Sequence, residues 1–266
     1  WGAKHFWGSG CNKGLGMPAP PQTGYNPWHV LRDISEYSEM IAFAAGDWEL
    51  TQNYASQMWS RLIKFWEECG KEFVIIDPFC NYTAVCHDTM KWIPILPNTD
   101  AAMQLAIAYT WMTEGTYDKD YVATRTDGFD WFEYYVLGHE DGVPKTPEWA
   151  EEKCGVPAYR IKALARYWAK HNVSIGHCNG GSYIRSCYSH EPARLEVYLL
   201  AMQAVGKPGR NQVKFIEWAL IGMDSFKPLP PGYFLPEVRA CYHGSVLGEL
   251  PASFIPKTLV PQCITV

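Results

Sequence analysis

The stretch that decides the fold runs from residue 73 to residue 129. It begins FVIIDP (73–78), resumes after a connecting segment as PNTDAAMQLAIAYTWMTEG (97–115), and ends TYDKDYVATRTDGF (116–129). An apolar, β-branched run that stops at an acid and a proline is typical of a buried parallel strand that ends at a nucleotide site. Thr99 and Asp100 then open a helix, whose free amide groups and positive dipole end favour an anion. The order of strand, acid, turn, polar cap and helix predicts a nucleotide-binding crevice without a Gly-rich phosphate loop.

Strands and helices alternate on both sides of this stretch. Strands are predicted at 40–46, 73–76 and 173–178, and helices at 50–69, 99–114, 118–122, 130–137, 147–154, 158–171 and 191–205. This alternation predicts an α/β fold, a three-layer parallel-sheet sandwich of the Rossmann type. We expect an irregular lead-in over 1–39, an α/β domain over 40–209 and a Pro-rich extension over 210–266.

Composition excludes several classes of function. The chain has 266 residues, 47% of them apolar, and a net charge of −5. It therefore lacks the excess of positive charge that favours binding to nucleic acid or to an anionic membrane. No apolar run approaches the roughly 18 residues that a membrane span needs. The chain starts at Trp1 without a methionine, which favours a piece of a larger subunit.

The 9 cysteines contain no CxxC pair, which predicts reduced thiols and a cytoplasmic protein rather than a disulfide framework. Cys80, Cys86 and His87 form a loose cluster, which we interpret as ordinary buried thiols rather than ligands.

Several short motifs follow one another in a fixed order. They are Asp77-Pro78, Pro97–Asp100, Tyr117-Asp118, Thr126–Phe129, Thr146–Ala150, Cys154–Pro157 and Gly206–Gly209. This order resembles the molybdopterin oxidoreductases of the dimethyl sulfoxide reductase and formate dehydrogenase superfamily, in which the first four motifs commonly read DPR, PGTD, YD and TxGF. The resemblance covers about residues 40–209.

The resemblance implies a cofactor. In this family the comparable domain of the catalytic subunit binds one arm of bis-molybdopterin guanine dinucleotide (bis-MGD), whose dithiolenes hold molybdenum or tungsten. The protein ligand to the metal is then expected upstream of Trp1, and no metal ligand is expected within this chain. The domain would be an MGD-binding part of a molybdopterin-dependent hydroxytransferase or oxidoreductase and would be incomplete on its own.

Two acids are the candidates for binding the nucleoside. Asp77, at the end of a strand, can accept a hydrogen bond from a ribose hydroxyl. Asp100 can accept two parallel hydrogen bonds from guanine, or alternatively only stabilise the helix dipole. Pro78 and Phe79 complete this part of the crevice, with Phe79 where the family usually has arginine. Asn98 replaces the usual glycine and tolerates the same left-handed conformation.

The residues after the first strand, Gly46, Asp47, Trp48 and Glu49, occupy the position of the family's GxNP motif. Because a glycine at a strand end lets a ligand approach the backbone closely, the resemblance implies contact with the cofactor here. The alternative is a plain β-to-α turn that Asp47 caps.

A second glycine turn follows the third predicted strand. Gly180 and Gly181 leave room for a bulky ligand near the backbone, and Ser182 offers a hydroxyl. In the family this loop passes close to the pterins and the metal, which makes Tyr183 the candidate catalytic residue, acting on a proton of a phenolic substrate. Alternatively, Tyr183 only packs and Ser182 caps the next turn.

The departures from the family pattern (GDWE, DPF and PNTD) resemble the branch that transfers hydroxyl groups between polyphenols. That resemblance implies a small aromatic substrate, the rest of the large subunit and an iron–sulfur small subunit as partners, and no net redox change. Three alternatives stay open. They are an oxygen- or sulfur-transfer reductase acting on thiosulfate, polysulfide or a sulfoxide, a non-catalytic nucleotide-binding module, and an interaction domain.

Overall fold

Strands and helices alternate along the part of the chain that the computed structural model describes, which is residues 27–44, 46–50, 56–177 and 190–214. The strands are β1 (Met40–Ala44), β2 (Glu72–Ile76), β3 (Met90–Ile93), β4 (Val173–His177) and β5 (Gln212–Lys214). The helices are α1 (Pro27–Tyr37), α2 (Ser56–Glu68), α3 (Tyr82–Val85), α4 (Asp100–Glu114), α5 (Lys119–Arg125), α6 (Phe129–Val136), α7 (Pro147–Cys154), α8 (Ala158–Lys170) and α9 (His190–Met202). None of these helices combines the length and the apolar character needed to cross a bilayer.

The strands form one parallel sheet in the order β3-β2-β1-β4-β5. The register brings their carboxyl ends level, since Ala44 pairs with both Ile76 and His177, and Ile76 pairs with Ile93. The strand order reverses between β1 and β4, and such a switch point is where open α/β sheets bind ligands. The predicted α/β class with a parallel sheet is confirmed.

Both faces of the sheet are buried, as the predicted three-layer sandwich requires. Met40 and Ala42 pack into one hydrophobic core, which α4, α7, α8 and α9 complete. Ile41 and Phe43 point the other way, into a second core closed by α1 and α2. This alternation follows from the two-residue period of a strand.

Four elements differ from the sequence-based expectation. Helix α1 lies within the segment predicted to be irregular, α3 was not predicted as a helix, and β3 and β5 were not predicted as strands. β3 is a short strand with only Ile93 fully buried, so it lacks the continuous apolar run of a central strand. β5 has three residues, too few for a periodic signal. Of the predicted extension over 210–266, residues 215–266 lie outside the described residues.

Several of the ordered motifs have a structural role at helix boundaries. The Thr146 hydroxyl accepts from the Trp149 N–H (3.1 Å), with Pro147 at the first position of α7. The Asp118 carboxylate accepts from the Tyr121 N–H (2.9 Å) at the start of α5 and pairs with Lys207. These motifs therefore specify the fold rather than the chemistry.

A buried polar network ties the turn before β5 to the amino edge of the sheet. The hydroxyls of Ser38 and Ser174 lie 2.8 Å apart, and both lie within hydrogen-bonding distance of the Gly209 carbonyl (2.8 and 3.0 Å). The Gly209 N–H donates to Asp33 of α1 (2.7 Å), and the Asn211 N–H donates to Ser174 (3.0 Å). The turn is thus fixed to α1 and β4 at once, and its close packing against the end of α1 leaves no room for a side chain at residue 209.

We expect Gly209→Ala to lower the free energy of unfolding by about 2–4 kcal/mol, from a left-handed backbone and an overpacked contact. The backbone φ is +75°, and a Cβ atom would lie 2.5 Å from the carbonyl carbon and oxygen of Tyr37. Gly206→Ala is the matched control, because its φ is +88° but a Cβ there meets nothing within 4 Å. Denaturant unfolding followed by tryptophan fluorescence measures both losses. Equal losses would show that the contact with Tyr37 adds nothing.

Candidate functional site

The carboxyl edge of the sheet carries an acid after each of three neighbouring strands. Asp47 follows β1, Asp77 follows β2, and Asp100 begins the helix after β3. Because the strand ends are level, these acids gather at the carboxyl edge of the sheet, on the β3 side of the switch point. They define a candidate crevice, whose β1 loop is residues 46–50 and whose β2–β3 crossover is residues 77–89.

Asp77 is the acid whose ionised form is disfavoured. Burial raises the pKa of its carboxyl group, and the negative charges of Asp100 and Asp47 raise it further, although the Phe79 N–H donates to its Oδ1 (2.8 Å) and acts in the opposite direction. Trp92 fixes the backbone here by donating its indole N–H to the Asp77 carbonyl (2.8 Å). A half-buried carboxylate in this position gains from any hydrogen-bond donor that a ligand provides.

Asp100 is buried at the first position of α4. The loop before it is held by a hydrogen bond from the Leu96 N–H to the Cys154 carbonyl (2.9 Å) and by Asn98 in the left-handed region (φ 62°). The predicted left-handed Asn98 is confirmed. The predicted polar cap is wrong in one respect, because the Thr99 hydroxyl donates to the Leu96 carbonyl (2.7 Å) and makes no side-chain cap.

Asp47 acts as an anchor between two loops. Its carboxylate accepts from the backbone N–H groups of Tyr82 and Thr83 (3.2 Å each) and from the Thr83 hydroxyl (2.8 Å). It also accepts from the Glu49 N–H (3.2 Å) in its own loop. Asp47 thus caps its own turn, as the alternative interpretation held, and the first turn of α3 as well. Direct contact of its side chain with a cofactor stays a prediction.

Trp48 has a fully buried side chain. Its ring packs against Phe43 and Trp59, with centroids 5.1 and 4.3 Å away. Gly176 on β4 makes room for this packing, since a Cβ there would lie 2.6 Å from the Phe43 ring. The Trp48 ring therefore belongs to the core, where burial of a large aromatic side chain stabilises the fold. Contact of this residue with a cofactor stays a prediction.

The remaining predicted crevice residues differ in accessibility. Gly46 is half-buried, and its carbonyl accepts from Asn81 Nδ2 (3.4 Å). Pro78 and Phe79 are exposed at the mouth of the crevice, with 77% of Phe79 accessible. Glu49 is turned to a protein partner, with its Oε1 2.7 Å from His87 Nε2. The second glycine turn (Gly180, Gly181, Ser182 and Tyr183) lies outside the described residues.

The burial of the two thiols in the cluster of Cys80, Cys86 and His87 differs from the expectation. Cys80 and Cys86 are exposed rather than buried, whereas His87 is buried. Among the described residues no group of three or more His, Cys, Asp or Glu side chains is arranged to hold a metal ion.

Sequence reasoning missed Thr83, which is fully buried and joins the two loops. Its hydroxyl oxygen accepts from the Trp48 N–H (2.6 Å) and the Glu49 N–H (3.1 Å). The sequence feature that could have indicated a helix start beside Thr83 is Asn81. Its side chain accepts from the Ala84 N–H (3.0 Å) and caps α3. An Asn-x-Thr sequence after a strand end therefore indicated a helix start here.

Sequence comparison identifies relatives of the chain. No protein-family model matches it. It is 42% identical over 216 residues to the pyrogallol hydroxytransferase large subunit of Pelobacter acidigallici, covering 79% of this chain and 23% of that protein. It is 37% identical over 195 residues to the dimethyl sulfoxide/trimethylamine N-oxide reductase of Rhodobacter capsulatus, covering 68% of this chain and 22% of that protein. The chain therefore spans less than a quarter of the length of these relatives.

Structural comparison gives the same fold. Acetylene hydratase from Pelobacter acetylenicus superimposes with a TM-score of 0.52 and 21% sequence identity, over 70% of this chain and 25% of that chain. The parallel sheet, the ordered motifs and the sequence relatives agree with one another. Sequence similarity to these relatives shows that the chain belongs to the dimethyl sulfoxide reductase superfamily of molybdopterin enzymes.

Proposed function

We propose that this domain binds the guanine nucleoside end of one arm of a bis-MGD cofactor, within the catalytic subunit of a molybdenum or tungsten enzyme. The observation that carries the proposal is the placement of Asp77 and Asp100 at the carboxyl edge of the sheet, where burial and neighbouring charge raise the pKa of Asp77. Two acceptors at the carboxyl edge of a parallel sheet match the donor groups of a nucleoside.

The acceptors fit guanosine in particular. Guanine presents its N1–H and exocyclic amine as two parallel donors, which a carboxylate such as Asp100 can bind together and which adenine lacks. The Asp100 side chain also takes part in a further interaction within the protein, but its two oxygens have enough lone pairs for additional donors. Asp77 is proposed to accept from the ribose hydroxyls, with Pro78 and Phe79 beside it. The backbone of Gly46, Asp47 and Glu49 is proposed to form the adjacent wall.

The glycine turn after β4 is proposed to serve the other end of the cofactor. Gly180 and Gly181 would let the pterin and pyrophosphate approach the backbone, and Ser182 would donate to a phosphate oxygen. When bound, the cofactor supplies a metal centre that can act as a Lewis acid or change its redox state. Tyr183 is proposed to hold the proton of a phenolic oxygen and to pass it on.

The proposed activity of the whole subunit is hydroxyl transfer between polyphenols, from pyrogallol to phloroglucinol. Support comes from the 42% identity to a pyrogallol hydroxytransferase large subunit. The proposal includes an aromatic substrate, an iron–sulfur small subunit and a cytoplasmic location. The second candidate is an oxygen-transfer reductase, which the 37% identity to a dimethyl sulfoxide/trimethylamine N-oxide reductase favours.

Metal and nucleotide analysis of the intact parent protein tests the cofactor. We expect about one molybdenum or tungsten and about two GMP per large subunit, because a bis-MGD cofactor carries one metal and two nucleotides. Mass spectrometry of the metals and chromatography after acid hydrolysis give both counts. An active preparation without metal or GMP would contradict the proposed molybdopterin site and would favour the alternative of a nucleotide-binding module.

Asp77→Asn should stabilise the ligand-free chain at neutral pH by about 0.5 kcal/mol, since solvent screens part of the repulsion that it removes. The folded-state pKa of Asp77 is raised, so its contribution to stability is complete below the ordinary value of 3.8 and is lost as the pH rises through the folded value. The gain should therefore vanish in acid. Denaturant unfolding at neutral pH and at a pH below 3.8 measures this gain in stability. A gain that persists in acid would contradict the raised pKa of Asp77.

Asp100→Asn should weaken binding of GDP by about 10- to 100-fold, because one carboxylate oxygen that accepts from guanine becomes a donor. Binding of ADP should not change. Asp130→Asn is the matched control, because Asp130 is also an acid in the first turn of a helix but is exposed on α6. Calorimetric titration with both nucleotides measures the effect. Equal losses for GDP and ADP, or a loss in the control, would contradict guanine recognition.

A further inference from the structure

The segment between β3 and Asp100 is fixed to the end of α7. Ile95 is buried in the hydrophobic core, and Leu96 donates its backbone N–H to the Cys154 carbonyl (2.9 Å). The Leu96 side chain lies against Gly155, where an added Cβ atom would come within 3.2 Å of the Leu96 Cγ. The end of α7 therefore determines where the chain runs just before Asp100.

Asp100 itself lies close to this end of α7. Burial raises the pKa of the Cys154 thiol, and the negative charge of Asp100 raises it further, an effect that falls off with distance. Asp100 is buried at the first position of α4. A buried side chain in a close-packed interior has little freedom to reorient. The backbone that leads into α4 therefore sets the direction of the Asp100 carboxylate.

A short turn, residues 96–99, connects the end of α7 to Asp100. The Leu96 carbonyl closes this turn by accepting from the hydroxyl and from the backbone N–H of Thr99 (2.7 and 3.3 Å). O–H···O bonds are commonly about 2.7–2.8 Å long and N–H···O bonds about 2.9–3.0 Å. The hydroxyl therefore makes the better of the two bonds, and closure of the turn depends mainly on the Thr99 side chain.

Thr99 directs its hydroxyl away from the helix that follows it. A threonine before a helix usually has an extended backbone and accepts from an N–H of the first turn, which stabilises the helix. Thr99 has φ −112° and ψ 10° and makes no such cap. Its hydroxyl donates to the preceding turn instead. Departures from local rules are expected at functional sites, and this one is adjacent to Asp100.

We propose that Thr99 is a positioning residue for guanine recognition, because its hydroxyl closes the turn 96–99 against the end of α7 and so fixes the direction of the Asp100 carboxylate. Two parallel hydrogen bonds require a fixed angle as well as a fixed distance. When the hydroxyl is removed, the turn loosens and the carboxylate meets both donors of guanine less often. This inference rests on the proposed function, because it takes Asp100 as the acceptor for guanine.

Calorimetric titration of the full chain with GDP tests this role. Thr99→Val keeps the shape of the side chain and removes the hydroxyl, so the dissociation constant should rise by about three- to tenfold, as expected for one hydrogen bond. Thr99→Ser keeps the hydroxyl and should stay within about twofold of the wild type. An equal loss of affinity in both variants would overturn the role of the hydroxyl.

Thr113→Val is the matched control for the loss of a hydroxyl. The Thr113 hydroxyl also donates to a backbone carbonyl, that of Tyr109 (2.8 Å), but it lies in the last turn of α4. Thr113 is about 20 Å along the helix from Asp100, so its substitution should leave the affinity for GDP unchanged. A loss equal to that of Thr99→Val would overturn the proposal, because the effect would then come from the stability of α4.

A double-mutant cycle shows whether Thr99 acts through Asp100. In an Asp100→Asn background, Thr99→Val should change the dissociation constant for GDP by no more than about twofold, because the residue that it positions has been replaced. A merely structural role of Thr99 predicts the same loss of affinity in both backgrounds, and that result would overturn the proposal.

Amide hydrogen exchange in the ligand-free chain tests the turn without any nucleotide. The Leu96 N–H should exchange about three- to tenfold faster in Thr99→Val, and at the wild-type rate in Thr99→Ser and Thr113→Val. Unchanged exchange in Thr99→Val would overturn closure of the turn by the hydroxyl. Faster exchange with an unchanged affinity for GDP would overturn the role of Thr99 in recognition.

Failure of the nucleotide site itself gives a different result. A wild-type chain that does not bind GDP would overturn the proposed nucleotide site and, with it, the role of Thr99 in recognition. Exchange of the Leu96 N–H still shows separately whether the Thr99 hydroxyl holds the turn.

Discussion

The structure depends on one constraint, the burial of a parallel sheet on both of its faces. Side chains along β1 and β2 alternate between two hydrophobic cores, so these central strands have no face left for polar chemistry. Polar groups that meet a ligand must therefore come from the loops at the ends of the strands. The level register of β1, β2 and β4 places the loops that follow them side by side. This explains why acids far apart in sequence influence the same ionisation, that of Asp77.

Loops at a sheet edge are useful for binding only if they are held in place. Here the β1 loop and the β2–β3 crossover hold each other, because Asp47 caps α3 and Thr83 accepts from two amides of the β1 loop. The core contributes as well, since Trp48 anchors the same loop beneath its polar residues. Asp47 and Trp48 thus fix the loops at the carboxyl edge where Asp77 and Asp100 lie. Contact of any of these residues with a ligand stays a prediction.

The sequence was sufficient where the signal is local. β1, β2 and β4 are apolar runs, and Asn98 and Gly115 mark turns by their tolerance of positive φ. It was not sufficient where a residue takes its role from a distant partner. Asp47 and Thr83 are 36 positions apart, and Glu49 and His87 are 38 apart, so no spacing rule connects them. β5 is recognised as a strand only through its pairing with β4, since three residues carry no periodicity.

The hydrogen bonds around Gly209 have a consequence for local unfolding. They connect α1, β4 and the turn before β5 at one point. None of these three segments can separate from the other two without leaving buried polar groups unpaired, which is costly. The amino edge of the sheet at β4 and β5 therefore opens as one cooperative unit with α1, and β5 does not fray alone although it is the outermost strand.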